Sequence, residues 1–356
     1  MKSQIIILLA FLTMLLSCSK VNHLPENQGD EIVFADPYVL NTRSVLIESS
    51  DQMADGYSVF ASKSVTDVSG NRQGTMFMNN TRVYKAGGVW KYDADESYHW
   101  SIGASHAFCG IFPYCDVSTG VLEYNVNIAT HGLEILARDG SVIKTGVGQG
   151  GCPDILYDVV SYDEPMGVHD TPEPIQFNMK HASSIVTFNV ANRSENEIAS
   201  VSGRLWGAEK DGSKPGLFDV ASKVSITDKV EWLDCAVGEG RFEFELSSLL
   251  SQGQTVSKAG QVLVIPQNIN TTTADKDKLY LHLTVVFNNA RAGGSKATKQ
   301  YHVCLADIPL NGQDASLLKT WLPGKNYIYN LNVTSDFITC TVSVVPWIED
   351  DFIDLK

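Results

Sequence analysis

Alternation of apolar and polar residues over short runs constrains the fold of this chain more than any other feature of its sequence. From residue 279 to residue 287, every second position is Leu, Val or Phe, and the positions between them are Tyr, His, Thr and Val. Successive side chains of a β-strand point to opposite faces, so this period of two predicts a strand with one buried face. Helical periodicity over about 12 residues is hard to find. The sequence therefore predicts an all-β, mostly antiparallel fold with a few short helices.

Runs of this kind recur along the chain, rich in Val, Ile, Tyr, Phe and Thr and bounded by Gly, Asn, Asp or Pro. Two packed sheets are the simplest way to cover their apolar faces, which predicts β-sandwiches. Short helical patches are expected at Leu246–Leu250 and Gln313–Trp321. We predict strands at Glu31–Ala35, Gly56–Ser62, Met76–Tyr84, Val89–Tyr92, His106–Tyr114, Ile175–Phe177 running through Ser183–Ala191, Arg204–Trp206, Phe242–Leu246, Gln261–Pro266, Lys278–Asn288, Lys299–Leu305, Asn326–Ser335 and Ile338–Val345.

The length of 356 residues predicts two such bodies, because domains typically contain about 100–200 residues. Between them, Tyr162–Pro174 is crowded with Asp, Glu, Pro and Gly and lacks any apolar periodicity. We therefore predict an N-terminal β-sandwich domain at 31–173 and a C-terminal one at 174–356.

The charge balance excludes one class of partner. Lys and Arg total 27 against 41 Asp and Glu, which gives a formal net charge of −14. A phosphate backbone would be repelled over most of such a surface, so we expect no nucleic-acid partner. Beyond the N-terminus, no apolar run approaches the ~20 residues of a membrane-spanning helix.

The N-terminus has the layout of an export signal. Lys2 precedes the apolar stretch 5–16, which is too short for an ordinary spanning helix, so residues 1–17 are predicted to be a signal peptide. The stretch ends in Leu15-Leu16-Ser17-Cys18, which resembles a bacterial lipobox, and Cys18 is therefore the predicted lipidation site. The alternative is an ordinary cleavage site with a chance cysteine. Residues 18–30 are predicted to be a flexible tether.

Six cysteines follow Cys18, and an even number in an exported chain allows up to three disulfides. Their spacings are irregular, and Cys304 and Cys340 lie in apolar runs, where a free cysteine behaves as a small core residue. Cys109 and Cys115 flank a short segment and are the favoured pair. The rest of the pairing stays open.

No set of residues carries a catalytic or metal-binding signature. The eight His are scattered, without zinc-ligand spacing and without a nearby Ser or Cys nucleophile motif. The acidic cluster at 349–354 lacks the spacing and the turn glycine of a calcium loop. We therefore predict no catalytic residues, no metal and no cofactor. The many carboxylates leave a glycosidase pair open, because the fold sets the separation of such a pair.

Along its whole length the sequence resembles the fimbrillin family of Bacteroidetes, the lipoprotein precursors of type V pilus subunits. The order and spacing of the matching segments carry the resemblance, rather than any one of them. The segments are the lipobox at Cys18, Ile32–Ala35, Asn41-Thr42-Arg43-Ser44, Tyr57–Ala61, Met76–Asn80, Gly88–Tyr92, Trp100, Phe108–Tyr114, Ile175–Ala182, Ile185–Val190, Leu322–Tyr327 and Val344–Trp347.

The resemblance implies two transthyretin-like β-sandwich domains in tandem and assembly by strand exchange. In this family a surface protease of arginine specificity removes the first strand, and the open groove accepts a strand from a neighbouring subunit. A missing strand leaves unpaired backbone groups and an open apolar groove, and a donated strand satisfies both. By this resemblance, residues 31–43 are the removable first strand of this chain.

The resemblance also indicates the residues that would take part. Arg43 is the candidate cleavage site, because it follows the first strand and lies beside small polar residues; the alternative is that Arg43 is an ordinary surface residue. The candidate donor is the last strand, in which every second residue is apolar, as a pocket-filling strand requires. The donor residues are Ile338, Cys340, Val342 and Val344.

We therefore predict a structural and adhesive subunit of a surface fimbria, without enzymatic activity. Its predicted partners are other fimbrial subunits, the arginine-specific protease and, before processing, the outer membrane through the lipid on Cys18. An adhesive role adds a host or glycan ligand. The alternatives are a monomeric outer-membrane lipoprotein that binds glycans or host surface ligands, and a lipid-anchored glycoside hydrolase. A stalk, tip or anchor position stays open.

Overall fold

The computed structural model describes most of the chain between residues 28 and 346. The predicted signal peptide (1–17), Cys18 and Arg43 lie outside the described residues, as do all residues after Pro346. The described residues are 28–39, 50–67, 69–70, 72–93, 95–116, 122–127, 132–138, 140, 143–144, 154–206, 220–227, 229–236, 242–269, 278–289, 295–310 and 318–346.

The fold is nearly all β, as the period of two predicts. The described helical structure consists of two short 3-10 turns, Ser50–Met53 and Leu305–Asp307. The strands, numbered in chain order, are β1 (Gln28–Glu31), β2 (Tyr38–Val39), β3 (Tyr57–Thr66), β4 (Arg72–Ala86), β5 (Val89–Lys91), β6 (His99–Ser101), β7 (Ser105–Phe112), β8 (Leu122–Asn127), β9 (Gly132–Ala137), β10 (Ile143–Lys144), β11 (Leu156–Tyr162), β12 (Asn178–His181), β13 (Ser184–Asn192), β14 (Glu197–Trp206), β15 (Val220–Ala221), β16 (Lys223–Ile226), β17 (Val230–Leu233), β18 (Phe242–Leu246), β19 (Thr255–Val264), β20 (Tyr280–Asn289), β21 (Ser295–Cys304), β22 (Lys325–Val333) and β23 (Ile338–Pro346).

The C-terminal body is a β-sandwich of two four-stranded sheets, β19-β13-β22-β23 and β18-β14-β20-β21. Their facing side chains form one apolar core, which includes Phe188, Trp321 and Tyr329. The alternating residues of β20 behave as predicted, since Leu281 and Val285 on the inward face are both fully buried. The pairing is antiparallel except between β13 and β22, which run parallel.

The N-terminal body is built on a seven-stranded sheet in the order β2-β12-β11-β7-β3-β4-β5. Successive residues of β3 point to its two faces: Tyr57 and Val59 belong to one apolar cluster, and Phe60 belongs to another. The Phe60 cluster includes Ile135 and Val224 of a second sheet, ordered β17-β16-β9-β8, which completes a sandwich. The Tyr57 face is covered differently, by irregular chain and by residues 28–39.

The predicted domain ranges are 31–173 and 174–356, but strands from the second range belong to sheets of the N-terminal body. Strand β12 follows residue 174 yet pairs with β11 of the N-terminal sheet. The hairpin β16–β17 comes from the C-terminal half of the sequence but pairs with β9, so that Val224 lies opposite Ile135. Local composition cannot reveal this arrangement, because it arises from strand pairing between residues far apart in sequence.

The chain passes from one body to the other at Ala182–Ser183. The Ala182 amide donates to the carbonyl of Ile155 (2.9 Å), and the Gly324 amide donates to the carbonyl of Ser183 (2.9 Å). The indole of Trp232, on the borrowed hairpin, donates to the Ala182 carbonyl (2.8 Å). Both bodies and the hairpin therefore bind the same short connection.

Neither local prediction about helices is confirmed. Leu246–Leu250 is not helical: Leu246 ends β18, and the backbone of Leu250 exchanges hydrogen bonds with Ile198 (2.8 and 3.0 Å). Two leucines four residues apart fit a helical turn, but here the tertiary pairing decides the backbone conformation. The other patch, Gln313–Trp321, lies largely outside the described residues. Among the described residues, no helix is long and apolar enough to cross a membrane.

The favoured disulfide between Cys109 and Cys115 is wrong, because both residues are free thiols. β7 runs extended from Cys109 to Phe112 and so carries the two cysteines apart. Cys109 faces the sandwich interior, where burial raises the pKa of its thiol to about 12. The Cys115 thiol donates to the carbonyl of Leu122. Each cysteine therefore serves as a small core residue.

Candidate groove for strand exchange

Residues 28–39, called here the N-terminal segment, pack against one face of the seven-stranded sheet and end in β2, its edge strand. β1 pairs antiparallel with β6, and β2 pairs parallel with β12. Between them the Ile32 amide donates to the carbonyl of Tyr98 (2.8 Å), and the Ala35 amide donates to the carbonyl of Ile175 (2.9 Å). The Ile175 amide donates back to the carbonyl of Val33 (2.8 Å). The segment thus makes the hydrogen bonds of an added strand on both of its sides.

The side chains of the N-terminal segment alternate between the interior and solvent. Ile32 and Phe34 are 1% and 3% exposed, whereas Val33 between them is 47% exposed. Val39 at the end of the segment is also buried. Fully burying an apolar side chain of this size contributes about 1.5–3 kcal/mol. Three such side chains anchor a segment that is otherwise extended and irregular.

Aromatic rings form the walls that receive these anchors, and we call this cleft the groove. The ring of Phe34 stacks on Phe177 at 6.2 Å and meets the edge of Tyr92 at 6.4 Å. Phe177 in turn contacts Tyr57 at 5.8 Å, and Tyr57 contacts Trp90 at 5.3 Å. If the segment were absent, the surfaces of Phe177 and Tyr92 that contact Phe34 would lose this cover. The residues that define the groove are Tyr57, Trp90, Tyr92, Trp100, Ile175 and Phe177.

Polar contacts fix the segment at its exposed side. The Asp36 carboxylate accepts a hydrogen bond from the Trp90 indole and forms an ion pair with Lys85 (3.1 Å). These two contacts, the Trp90 hydrogen bond first, lower the pKa of Asp36. The Tyr92 hydroxyl donates to the Glu31 carboxylate (2.9 Å), and burial together with this carboxylate raises the pKa of Tyr92 to about 12. The segment is therefore positioned by side chains as well as by its backbone.

The predicted cleavage site lies in the connection between the segment and the rest of the protein. Arg43 is within residues 40–49, outside the described residues, and the described chain resumes at Ser50. A cut in this connection would leave residues 28–39 attached to the groove by noncovalent contacts alone. Arg43 and Cys18 both remain predictions.

The candidate donor strand, β23, is an edge strand of the C-terminal sandwich. Along its length it pairs antiparallel with β22, and its other side makes one isolated bridge, between Leu310 and Val342, among the described residues. Val342 is fully buried, whereas Val344 is 37% exposed. Ile338 and Cys340 are partly buried against the same core. Burial raises the pKa of the Cys340 thiol to about 12. Ile338, Cys340 and Val342 therefore contact the chain's own core, whereas Val344 does not belong to that core.

The sequence predicted a removable first strand and a donor strand, but it did not predict which residues line the groove. Trp90 and Tyr92 were predicted only as part of the strand Val89–Tyr92, and Trp100 was in no predicted strand. Ile175–Phe177 was predicted to begin the C-terminal domain. The sequence does contain many large aromatic residues in these regions. They did not indicate a groove, because they come together only when the strands pair.

The chain resembles known proteins in sequence and in fold. Its sequence matches the model of the fimbrillin-like family over residues 42–347. A fimbrial protein from Bacteroides vulgatus is similar in structure, with a TM-score of 0.59, 14% sequence identity, and 90% of this chain and 100% of that chain covered. This likeness shows a common fold.

Two further structures are similar over most of their length. A fimbrilin from Porphyromonas gingivalis has a TM-score of 0.42 at 8% identity, with 89% of this chain and 97% of that chain covered. The tip fimbrial protein Mfa3 from the same species has a TM-score of 0.40 at 11% identity, with 89% and 98% covered. No curated protein matches the sequence. Because the family model spans most of the chain, this protein belongs to the fimbrillin-like family.

Proposed function

We propose that this protein is a structural and adhesive subunit of a surface fimbria, exported as a lipoprotein and assembled by protease-triggered strand exchange. Its family and its fimbrial structural neighbour support the fimbrial role. The observation that carries the assembly mechanism is the N-terminal segment, which fills an aromatic groove as an added strand and joins the rest of the protein through residues 40–49. In this proposal Cys18 carries the lipid, and the precursor waits at the outer membrane.

Cleavage after Arg43 is the proposed trigger. It converts an intramolecular strand into a bound peptide, whose dissociation is no longer opposed by its covalent link to the sheet. Once the peptide leaves, the rings of Phe177 and Tyr92 and the backbone groups of Ile175 lack their partners. Unpaired backbone and an apolar cleft are what a donated strand can satisfy.

Strand β23 of a neighbouring subunit is the proposed donor. Because it is an edge strand, it can leave its own sheet without separating two ladders of hydrogen bonds. It presents apolar residues at every second position, as the N-terminal segment does at Ile32 and Phe34. Its transfer would join subunits head to tail. An adhesive role would place a host or glycan ligand on the exposed surface of such a polymer.

The trigger is tested on the full chain with an arginine-specific endoprotease. Wild type is compared with Arg43→Lys, which keeps the positive charge but removes the recognition site. We expect SDS-resistant ladders on gels and fibres in negative stain from wild type only, with mass spectrometry locating the cut after Arg43. Fibres from the Arg43→Lys chain would exclude Arg43 as the cleavage site.

If wild type is cut after Arg43 and stays monomeric, strand exchange is wrong. That result favours the alternative of a monomeric outer-membrane lipoprotein, and a glycan array is then the next measurement.

The donor is tested by a matched pair of substitutions in β23. Val344→Lys changes a residue of the proposed pocket-filling face that is already 37% exposed, so the monomer should keep its fold. Thr339→Lys places the same charge on the opposite, exposed face of the strand. We expect Val344→Lys to abolish polymerisation of the cleaved chain and Thr339→Lys to retain it. Equal polymerisation by both would exclude β23 as the donor.

A further inference from the structure

A pair of histidines lies on the outer face of the C-terminal sandwich, far in sequence from the groove. His282 in β20 and His302 in β21 are directly opposite in the antiparallel register. Their neighbours Leu281 and Leu283 point into the core, so the imidazoles project from the other face of the sheet. His302 is exposed, and His282 is partly exposed.

The two rings contact each other through their Nδ1 atoms. Their Nδ1 atoms are 2.7 Å apart, and the ring centroids are separated by 4.8 Å at an interplanar angle of 82°. At this distance the Nδ1–H of one imidazole donates a hydrogen bond to the Nδ1 of the other. The accepting ring therefore directs its Nδ1 lone pair toward its neighbour. Two imidazole nitrogens that converge on one point are the donor set of a divalent transition metal.

The spacing requires little rearrangement to hold a cation. A zinc–nitrogen bond is about 2.1 Å, so two ligands of one ion lie about 3.0–3.4 Å apart for octahedral or tetrahedral angles. Separating the Nδ1 atoms by a few tenths of an ångström reaches that range. The ion takes the place of the Nδ1 proton, which passes to solvent, and the same ring takes up a proton from solvent at Nε2. Both imidazoles then bind the ion as neutral ligands, with no net release of protons.

The surroundings leave room for the rest of a coordination shell. The histidine pair lies on the wall of an open concavity of about 510 Å³, which Thr284, Gln300 and Glu245 also line. Arg204 lies opposite His282 in the register and is held 4.0 Å from Glu243, which offsets its charge. Among the described residues, no group of three His, Cys, Asp or Glu could hold a metal ion, so water would fill the remaining positions.

We propose that His282 and His302 form a two-histidine site for a divalent transition metal such as Zn²⁺, Ni²⁺ or Cu²⁺. The ion would link β20 to β21, which is an edge strand of its sheet. It would thereby stabilise the edge of the C-terminal sandwich. This site is independent of the strand exchange proposed above.

The test is metal titration of the untagged full chain, followed by calorimetry and thermal unfolding. We expect one bound Zn²⁺ or Ni²⁺ and a rise in Tm of about 5 °C at a large excess over Kd, with no rise for Mg²⁺, which prefers oxygen ligands. With Cu²⁺, the electron paramagnetic resonance spectrum should show coupling to two imidazole nitrogens.

Single substitutions assign the site. His282→Ala and His302→Ala should each remove the shift, and His302→Gln serves if the alanine variant folds poorly. His169→Ala, which changes an exposed histidine of a loop in the N-terminal body, should keep the shift. Absence of binding by wild type, or a shift that persists in both histidine-pair variants, would overturn the proposal.

Discussion

The N-terminal and C-terminal bodies close their cores in different ways. The C-terminal sandwich takes its eight strands from residues 184–346 and encloses one apolar core. The N-terminal body depends on the hairpin β16–β17 from later in the chain for one face and on the N-terminal segment for the other. The C-terminal body therefore builds its core from one continuous part of the chain. The N-terminal body needs segments from other parts of the sequence to cover its sheet.

In the proposed strand exchange, this difference assigns one role to each body. A cut within residues 40–49 would break the covalent link between the N-terminal segment and the rest of its body. A self-sufficient sandwich can release an edge strand such as β23 while seven strands keep their pairing. The proposed groove and the proposed donor therefore lie in different bodies.

The largest effect is expected from breaking the borrowed hairpin. Val224 is fully buried against Ile135 and its neighbours, and Val224→Asp would place an unpaired charge there, destabilising the N-terminal body by about 5 kcal/mol or more. Amide exchange should show lost protection in β8, β9 and β7 with β20 still protected. Ser225→Lys, on the opposite face of the strand between Glu134 and Glu231 in the register, is the charged control and should change little. Simultaneous loss in both bodies would mean that they unfold as one unit.

A smaller effect is expected at the N-terminal segment. Phe34→Ala leaves a cavity between Phe177 and Tyr92 and should weaken docking of the segment by about 3–5 kcal/mol. The neighbouring Val33→Ala removes an exposed side chain and should cost less than about 0.5 kcal/mol. Hydrogen exchange measures both effects at the amides of Ile32, Ala35 and Tyr38, each of which is hydrogen-bonded in the groove. Similar exchange in the two variants would contradict the anchoring role of Phe34.

The smallest effect is a pH dependence confined to the N-terminal body. His106 packs against Trp100 at 5.0 Å, and burial, with a lesser contribution from Lys63, lowers its pKa to about 4. The unfolded chain binds this proton near pH 6.5, so stability is complete above that pH and falls as the pH drops toward 4. A shift of this size corresponds to about 3 kcal/mol.

Urea unfolding at pH 7 and at pH 4.5, monitored separately for each body by amide exchange, measures this loss. His106→Gln should abolish most of the difference between the two pH values in the N-terminal body. A loss of the same size in the variant would assign the pH dependence to other groups.

Much of the strand content could be predicted because alternation is a local signal. The buried face of β20 and that of β22, with Tyr327 and Tyr329, follow directly from the period of two. Strands β8, β11 and β16 were not predicted. β16 has four residues, two of them apolar, and in β11 Asp158 lies between Leu156 and Val160 on one face and interrupts the alternation. Free thiols at Cys109 and Cys115 could not be inferred from their spacing either.

By itself, the sequence determined the class of the fold and the buried faces of strands such as β20 and β22. Side-chain alternation carries this information, because it reports which face of a strand avoids water. Only the tertiary structure decided which strands are neighbours. This pairing placed β12 and the hairpin β16–β17 in the N-terminal body, and it placed His282 beside His302. Backbone hydrogen bonds between strands are the same for every residue type, so the choice of partner emerges only when the whole chain packs.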